Sequence, residues 1–420
     1  MSELPVNAIV ELTNGKQCRV KRELGRGGQG IVYLVNLNGE EKALKWYINP
    51  PDASFYENLQ KNVIQGAPSD AFLWPEYLTE RQKGSYGYVM KLRPQGYYEF
   101  GNYLLAKKSF KSYSALLAAA MKICNGFMLL HRFGYSYQDL NDGNFFINPN
   151  NGDILICDND NVMPQGEKSG IMGKARYMAP EIVNRGAPDK YSDRFSLSVI
   201  LFMLFYANHP FEGAKVVGCP CMTESYEKKF YGSEAVFIYD PTDKSNRPVQ
   251  GIHHNVIKRW PAFPVVLRDT FIQEFSQEKL QNPQVRMIEQ KWEKLINNLR
   301  DSLVVCPNCK EETFVASDGK CMNCCKSLGI IPYMKLADRQ ILLTSGTNLY
   351  IDNDNIPDCL VEVNPNDKTM LLIKNISPHA WTAETSSGKL KIVLPNECVP
   401  VKNGIKITFD KSYNCEIVTP

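Results

Sequence analysis

The chain has 420 residues, of which 44% are hydrophobic and 22% charged, a composition typical of globular proteins with two or three domains. Its formal net charge of +3 argues against nucleic acid or an anionic membrane surface as a partner. Thirteen cysteines without a signal-like N-terminus predict a reducing, cytoplasmic location. The longest strongly apolar run, residues 195–207, is too short to span a bilayer, so no membrane segment is expected.

The pattern of elements divides the chain into three regions. Residues 15–300 mix strand and helix patterns, residues 303–328 form a cysteine-rich segment, and residues 330–420 alternate as strands. Turn signals such as Asn403-Gly404 separate the strands of the last region. The predicted strands there cover residues 340–344, 360–364, 370–374, 389–394 and 405–409.

A glycine-rich string opens the first region and consists of Gly25, Gly27, Gly28 and Gly30, followed by Val32. Residues 31–37 alternate like a strand, Asn38-Gly39 is a strong hairpin signal, and residues 43–47 form a second strand. A dinucleotide-binding fold would instead place a helix directly after the glycines. The strand–loop–strand context therefore predicts a loop that closes over phosphates with its backbone N–H groups, against the alternative of a glycine-rich surface turn.

Lys45, on the second of these strands, is a candidate to bind the α- and β-phosphates of ATP. Its ammonium would need a carboxylate to hold it, and Glu57 is the candidate because few acidic residues lie nearby. A helix is predicted over residues 54–66, with Ser54 as N-cap and Gly66 as its stop. The alternative for Glu57 is a solvated surface position.

A further apolar strand is predicted over residues 88–92. Met90 on this strand is expected to border the adenine, with simple core packing as the alternative. Ala43 and Leu92 join Met90 and the glycine loop as predicted cofactor-binding residues.

The residues that carry chemistry are concentrated in the segments 137–144 and 156–158. Asn144 follows Asp139 by five residues, and Asp158 follows Asn144 by fourteen. Phosphoryl transfer needs a carboxylate that orients the attacking hydroxyl and accepts its proton, and oxygen ligands that hold Mg²⁺ on the nucleotide phosphates. We therefore predict that Asp139 is the base or hydroxyl-orienting group and that Asn144 and Asp158 bind Mg²⁺.

This order of motifs resembles eukaryotic-like serine/threonine protein kinases over residues 15–300. Ala179-Pro180-Glu181 is similar to the end of the family's activation segment, and Arg286 matches the arginine that pairs with Glu181. Asp193 matches the aspartate that caps the catalytic-loop backbone. The resemblance implies an α+β, bilobal protein-kinase-like fold, with an N-lobe over about 15–92 and a C-lobe over about 93–300. It also implies transfer of the γ-phosphoryl group of Mg²⁺-ATP to Ser or Thr hydroxyls of protein substrates.

Within that family, residues 43–47, 68–75 and 157–162 look like those of a bacterial subgroup. Its members are often found with a metal-dependent phosphatase and a von Willebrand factor A protein. The resemblance therefore implies a role in bacterial signalling or stress response, with these two proteins as partners.

Several positions depart from the family pattern. Gln138 and Asn141 replace an arginine and a lysine, which removes two cations from the catalytic loop. The activation segment contains no Thr and a single Ser, Ser169, so activation through phosphorylation of this loop is not expected. Asn159 and Asp160 replace the Phe and Gly after the metal-binding Asp, and Asp160 either adds charge near the metal or faces solvent.

Two other functions compete with the protein kinase prediction. One is a nucleotide-binding pseudokinase scaffold, in which Gln138 and Asn141 reflect lost chemistry. The other is a small-molecule kinase of the aminoglycoside phosphotransferase type, which shares a similar Asp–Asn pair and metal-binding Asp. The Ala-Pro-Glu segment and Arg286 argue against the second alternative, because such enzymes generally lack them.

The cysteine-rich segment contains two CxxC pairs separated by eleven residues, namely Cys306, Cys309, Cys321 and Cys324. Four thiolates at this spacing predict a closed, structural Zn²⁺ site in a zinc ribbon over residues 303–328, with free thiols or a redox pair as the alternative. Cys325 is an alternative to Cys324 as the fourth ligand. So short a unit needs its metal in order to fold.

Residues 330–420 are expected to form a small all-β sandwich. The segments 371–377 and 403–409 weakly resemble forkhead-associated domains, which bind phosphothreonine through a Gly-Arg pair and a Ser with a nearby His. Ser377 and His379 are present, but their spacing differs and no Gly-Arg pair is evident. A docking or packing module is the alternative.

Overall fold

The computed structural model describes residues 3–82, 84–168, 173–316, 318–337, 339–351, 356–409 and 413–419. Ser169, the one serine of the predicted activation segment, lies outside these described residues.

An antiparallel sheet forms the N-terminal lobe. Its strands are Ile9–Glu11 (β1), Gln17–Arg26 (β2), Gly30–Leu37 (β3), Glu40–Tyr47 (β4), Pro75–Leu78 (β5) and Gly87–Lys91 (β6). They lie in the order β1-β2-β3-β4-β6-β5, and helix Ala53–Gln65 (α1) packs against β5. Asn38 and Gly39 join β3 to β4 with positive φ angles of 52° and 93°, which is the hairpin geometry that this dipeptide favours.

Helix α1 ends as the sequence predicts but begins differently. Gly66 terminates it with a φ of 77°, a conformation that glycine adopts without strain. The N-cap is Asp52, whose carboxylate accepts the backbone N–H of Phe55, and not Ser54. The hydroxyl of Ser54 donates to Asp52 instead, so the predicted N-cap was displaced by two residues because a stronger acceptor precedes it.

The C-terminal lobe is mainly helical. Its helices are Gly101–Leu104 (α2), Tyr113–Arg132 (α3), Pro180–Val183 (α4), Lys190–Tyr206 (α5), Ala214–Val217 (α6), Glu224–Glu227 (α7), His254–Arg259 (α8), Val265–Glu274 (α9), Gln277–Gln281 (α10) and Glu289–Asp301 (α11). Its short strands are Tyr98–Glu99 (β7), Tyr135–Ser136 (β8), Phe145–Ile147 (β9), Ile154–Ile156 (β10) and Met163–Pro164 (β11). Strands β9 and β10 pair antiparallel, which brings the loops before β9 and after β10 to the same edge.

Helices α3, α5 and α11 surround the core of this lobe. Phe127 of α3, Phe202 of α5 and Trp292 of α11 are fully buried in it. Helix α3 has the length and apolar composition of a membrane span, but 67% of its most apolar stretch lies buried within the protein. That burial is what a core helix of the lobe requires, and it accounts for the apolar sequence.

The cysteine-rich segment is docked on the C-terminal lobe. Strands Leu303–Val305 (β12) and Glu312–Phe314 (β13) pair antiparallel, and Leu303 and Phe314 are buried in the core of the lobe. The ring of Phe314 lies 5.3 Å from that of Tyr113, at the start of α3. We call residues 303–328 the cysteine module.

The C-terminal region consists of two antiparallel sheets whose apolar residues share one buried cluster, and we call this two-sheet region the sandwich. Its strands are Tyr333–Lys335 (β14), Gln340–Leu342 (β15), Asn348–Leu349 (β16), Cys359–Asn364 (β17), Asp367–Asn375 (β18), Trp381–Glu384 (β19), Leu390–Val393 (β20), Cys398–Pro400 (β21), Lys406–Thr408 (β22) and Asn414–Val418 (β23). One sheet has the order β15-β14-β23-β22-β19-β20 and the other β16-β17-β18-β21. Each of the five predicted strands overlaps an observed one.

The sandwich is attached to the last helix of the C-terminal lobe. Arg339 donates through Nε and Nη2 to both carboxylate oxygens of Asp301, at 2.8 Å each, and both side chains are buried. The guanidinium of Arg300 lies 4.4 Å from the ring centre of Tyr350. These contacts join the sandwich to α11 directly.

Candidate active site

The four glycines at the turn from β2 to β3 differ in their surroundings. A Cβ atom at Gly30 would lie 2.3 Å from the carbonyl oxygen of Trp46, so only glycine lets β3 approach β4 here. At Gly25, Gly27 and Gly28 an added Cβ would meet no atom within 4 Å. The loop therefore presents open backbone on one side, as the predicted phosphate-binding role requires.

The predicted adenine-binding side chains lie on one apolar surface. Ala43 and Met90 are directly opposite each other on β4 and β6, and both are buried. Val32 and Leu92 pack against the same cluster. Leu155 of β10 joins them from the C-terminal lobe, and sequence reasoning did not select it although it stands just before the predicted metal segment.

Lys45 is buried and lies among three acceptors, which come from two segments. Its Nζ is 2.8 Å from Oδ2 of Asp160, 3.3 Å from Oδ1 of Asp158 and 3.2 Å from Oε1 of Gln29. Burial alone would lower the pKa of Lys45, but the charges of Asp160 and then Asp158 outweigh it and raise the pKa above its usual range. The strand lysine and the predicted metal-binding Asp158 are thus in contact through a charged ammonium.

The predicted pairing of Glu57 with Lys45 is wrong. Glu57 is exposed on α1, and the contacts that the structure describes for the Lys45 ammonium are those with Gln29, Asp158 and Asp160. The face of α1 that points inward carries Asn58 and Asn62, one helical turn apart. Glu57 is one residue out of phase with that face, so its side chain points to solvent.

The loop before β9 carries Asp139 and Asn144. The amide nitrogen of Asn144 donates to the backbone carbonyl of Asp139 at 2.8 Å, which fixes the orientation of the Asn144 side chain. The backbone N–H of Cys157 donates to the carbonyl of Asn144 at 2.9 Å, so Asp158 follows immediately beside it. Asp158 has left-handed backbone angles, with φ 55° and ψ 43°. The amide oxygen of Asn144 and the carboxylate of Asp158 are hard oxygen donors, a set that fits Mg²⁺.

Asp139 has the properties expected of a proton acceptor near neutral pH. Burial raises the pKa of its carboxyl group to about 6, opposed by a hydrogen bond from Asn141 and reinforced by the charge of Asp158. The amide of Asn141 donates to Oδ1 of Asp139 at 3.2 Å. A carboxylate with a pKa near the working pH is well matched to proton transfer.

Asp193 anchors the catalytic loop, as the family resemblance implies. Its Oδ2 accepts the backbone N–H of Tyr137 at 2.6 Å and lies 3.1 Å from Nε2 of His131. Nδ1 of His131 lies 3.0 Å from Glu289 at the start of α11. Burial lowers the pKa of His131, but the hydrogen bonds to Asp193 and Glu289 outweigh it and raise the pKa above its ordinary value. The catalytic loop is therefore held by a buried carboxylate–imidazole–carboxylate chain.

The predicted pair between Glu181 and Arg286 is confirmed. The guanidinium donates to both carboxylate oxygens, at 2.6 Å and 2.7 Å, and Arg286 is only 3% exposed. Arg286 also donates to the backbone carbonyls of Tyr191 and Lys279. The pair ties the end of the activation segment to α5 and to the segment before α11.

Gln138 and Asn141, which stand where the family has cations, hydrogen-bond to other groups. The amide of Gln138 donates to the backbone carbonyl of Glu167 at 2.7 Å, and so contacts the activation segment without any phosphate. Nζ of Lys174 lies 3.2 Å from Oδ1 of Asn141, and its charge acts to lower the pKa of Asp139. The sequence alone gives no sign that Lys174 lies beside the catalytic loop. Only the folded chain brings positions 141 and 174 together.

The four predicted cysteines form one cluster. The sulfurs of Cys306 and Cys324 are 3.7 Å apart, those of Cys309 and Cys321 are 3.8 Å apart, and all four lie within 4.8 Å of one another. Thiolates bound tetrahedrally at about 2.3 Å from Zn²⁺ lie roughly 3.8 Å from one another, so the set fits this metal. Cys325, the alternative to Cys324, is exposed and does not belong to the cluster.

Comparison with known proteins gives one family. A family model described as the protein kinase domain matches residues 18–227, which is half of the 420-residue chain. Protein kinase C delta type from Mus musculus is 29% identical over 204 residues, covering 46% of this chain and 30% of that protein. Serine/threonine-protein kinase Sgk1 from Xenopus tropicalis is 24% identical over 198 residues, covering 45% of this chain and 46% of that protein. Protein kinase YegI from Escherichia coli (strain K12) is 24% identical over 237 residues, covering 51% of this chain and 35% of that protein. The matching part thus spans less than half the length of each of these relatives.

Proposed function

The chain belongs to the protein kinase family, and from that membership we propose that it transfers the γ-phosphoryl group of Mg²⁺-ATP to Ser or Thr hydroxyls of protein substrates. The observation that carries the proposal is the convergence of Lys45, Asp139, Asn144 and Asp158. The Lys45 ammonium contacts Asp158, and the loop that holds Asp139 and Asn144 is hydrogen-bonded to the residue before Asp158. The serine/threonine kinases among the relatives support the same substrate class.

Each residue has a defined part in this proposal. The backbone of Gly25, Gly27 and Gly28 covers the phosphates, while Lys45 binds their α- and β-oxygens. Asn144 and Asp158 hold Mg²⁺, which neutralises phosphate charge when it is bound. Asp139 orients the substrate hydroxyl and accepts its proton, a task that its raised pKa suits.

Lys174 supplies the cation that Asn141 does not. Its Nζ hydrogen-bonds to Asn141 Oδ1 at 3.2 Å and lies 4.0 Å from Oδ1 of Asp142, beside the proposed base. A Cβ atom at Gly173 would lie 3.1 Å from Oδ1 of Asp139, so the backbone of this segment passes close to the reacting groups. A lysine on such a segment is placed to stabilise the transferring phosphoryl group.

The presence of Lys45, Asp139, Asn144 and Asp158 in one site favours the kinase over the pseudokinase scaffold. The pairing of Glu181 with Arg286 favours it over the small-molecule kinase. A direct test incubates the protein with labelled ATP, Mg²⁺ and a mixed protein substrate, beside Asp158→Ala. We expect transfer to Ser or Thr in the wild type and a loss of at least about 10³-fold in the variant. ATP binding without transfer by the wild type would overturn the proposal in favour of a pseudokinase, and transfer to an aminoglycoside alone would favour the small-molecule kinase.

The flanking regions extend the proposal. The cysteine cluster is proposed to hold a structural Zn²⁺, and the sandwich to be a forkhead-associated-like docking module.

The bacterial subgroup resemblance supports a cytoplasmic role in bacterial signalling or stress response. It also supports a metal-dependent phosphatase and a von Willebrand factor A protein as partners. A phosphatase of that class should remove the phosphate that this kinase adds, and mass spectrometry of the substrate before and after phosphatase treatment measures this.

A further inference from the structure

Asp160 is the most completely buried charged residue beside the proposed active site. It lies in the short turn Asn159–Asn161, two residues after Asp158, and is 0% exposed. Its Oδ2 accepts hydrogen bonds from Nζ of Lys45 at 2.8 Å and from the hydroxyl of Tyr47 at 2.5 Å. Its other oxygen, Oδ1, has no hydrogen-bond partner among the described residues.

A carboxylate in such surroundings is costly unless an opposite charge pairs with it. Removing an ionised group from water is strongly unfavourable, and a close ion pair with further hydrogen bonds is what offsets that cost. Lys45 is 5% exposed and Tyr47 is fully buried, so both donors lie away from solvent. Asp160 and Lys45 thus depend on each other for burial.

The turn that carries Asp160 is fixed independently of Lys45. The amide of Asn159 donates to the backbone carbonyls of Leu73 and Ile156, at 2.9 Å and 3.0 Å. The backbone carbonyl of Val162, just after the turn, accepts hydrogen bonds from Asn58 and Asn62 of α1, at 2.8 Å and 3.0 Å. Helix α1 is therefore tied to this turn by neutral amides, while its Glu57 points to solvent.

We propose that Asp160 is the positioning residue that holds Lys45 against the nucleotide phosphates, in place of a carboxylate from α1. The proposal rests on the proposed function, since it names how the lysine of that same site is oriented. Asp158 and Asp160 belong to one turn, so a single segment sets the position of both a metal ligand and the phosphate-binding cation. Lys45 is consequently oriented without any charged contact to α1.

The test compares Asp160→Asn with Glu57→Gln, which removes the carboxylate of α1. In the full-length protein we expect Asp160→Asn to lower kcat/KM for ATP by about 10²-fold, and Glu57→Gln to change it by less than about twofold. Asp160→Glu should recover part of the loss, because it restores a negative charge near Lys45. A loss with Glu57→Gln as large as that with Asp160→Asn would overturn the proposal.

A double-mutant cycle separates positioning from general stability. We expect Lys45→Met and the double variant Lys45→Met with Asp160→Asn to bind ATP equally weakly, because Asp160 acts through Lys45. A further loss of affinity in the double variant would mean that Asp160 supports the fold and does not act through the lysine, which contradicts the proposal.

Two further measurements keep the test informative. If Asp160→Asn does not fold, Tyr47→Phe combined with Asp160→Glu should shift the lysine enough to raise KM for ATP at least about threefold, and an unchanged KM would contradict the proposal. If the wild type transfers no phosphate, the proposed function fails, but the same cycle measured on ATP affinity still decides the role of Asp160.

Discussion

In the catalytic cleft, buried carboxylates hold the functional groups. Lys45 donates to Asp160, and the backbone of the catalytic loop donates to Asp193. In the cysteine module, four thiols lie within 4.8 Å of one another, in the turns that follow two short strands. The first arrangement needs a well-packed core around it, because each buried charge depends on its partner. The second has a small core of its own, and a bound metal would supply much of its folding free energy. We therefore expect the catalytic cleft and the cysteine module to unfold under different conditions.

Removing zinc tests the module and is expected to have the largest effect. Chelation of the metal, or Cys306→Ser, should unfold residues 303–328, because structural Zn²⁺ contributes on the order of 10 kcal/mol to such units. Metal analysis and hydrogen exchange of the purified protein measure the loss. Cys325→Ser is the matched control, since Cys325 is exposed and outside the cluster. A metal-free protein with a protected cysteine module would contradict the prediction.

Breaking one buried ion pair tests the cleft side of the comparison. Arg286→Met leaves Glu181, whose side chain is 30% exposed, without its partner and should lower the free energy of unfolding by about 1 to 3 kcal/mol. Chemical denaturation of the zinc-loaded protein measures it. Lys21→Met is the control, because the Lys21–Glu41 pair is exposed and should contribute less than about 1 kcal/mol. Equal effects of the two substitutions would show that burial of the Arg286 pair is not what stabilises it.

Removing the cation beside the catalytic loop tests function without disturbing the core. Lys174→Ala should lower kcat by about 10-fold with little change in KM for ATP, because the ammonium acts on the transferring group. The side chain is 60% exposed, so the melting temperature should hardly change. Steady-state kinetics beside Lys168→Ala, an exposed lysine of the same segment, provide the comparison. An unchanged kcat would remove Lys174 from the mechanism.

The pH dependence of stability gives the smallest expected effect. The pKa of His131 is raised above its usual 6.5 in the folded state, so its contribution is complete below pH 6.5 and is lost as the pH rises through the raised value. Glu289 behaves in the opposite sense: burial opposes the shift, but the hydrogen bonds from His131 and Arg194 lower its pKa to about 2. Its contribution is lost as the pH falls from 4.5 towards 2.

Thermal unfolding between pH 2 and 9 measures both contributions. The loss on the alkaline side should disappear in His131→Gln, whose amide cannot take up a proton. If that variant loses stability with rising pH as the wild type does, another group is responsible.

Local patterns predicted much of the fold and the candidate site. The strand over 43–47, the hairpin at Asn38-Gly39 and the pairing of Glu181 with Arg286 follow from signals within short segments or from the family resemblance. Glu57 was misplaced because the phase of a helix against the sheet depends on packing, which the sequence of α1 alone does not give. The sequence left open whether Asp160 adds charge near the metal or faces solvent, because burial is a property of the folded chain. Lys174 was missed as a neighbour of Asn141 because 33 residues separate them.

Helix α11 has a buried ion pair at each end. Glu289, its first residue, contacts His131, which in turn contacts Asp193. Asp301, its last residue, binds Arg339 of the sandwich. Thirteen helical residues span about 18 Å with little compliance. Helix α11 therefore connects the sandwich to the residues that hold the catalytic loop. A loss of order in α11 would weaken both attachments together, that of the catalytic loop through His131 and that of the sandwich through Arg339.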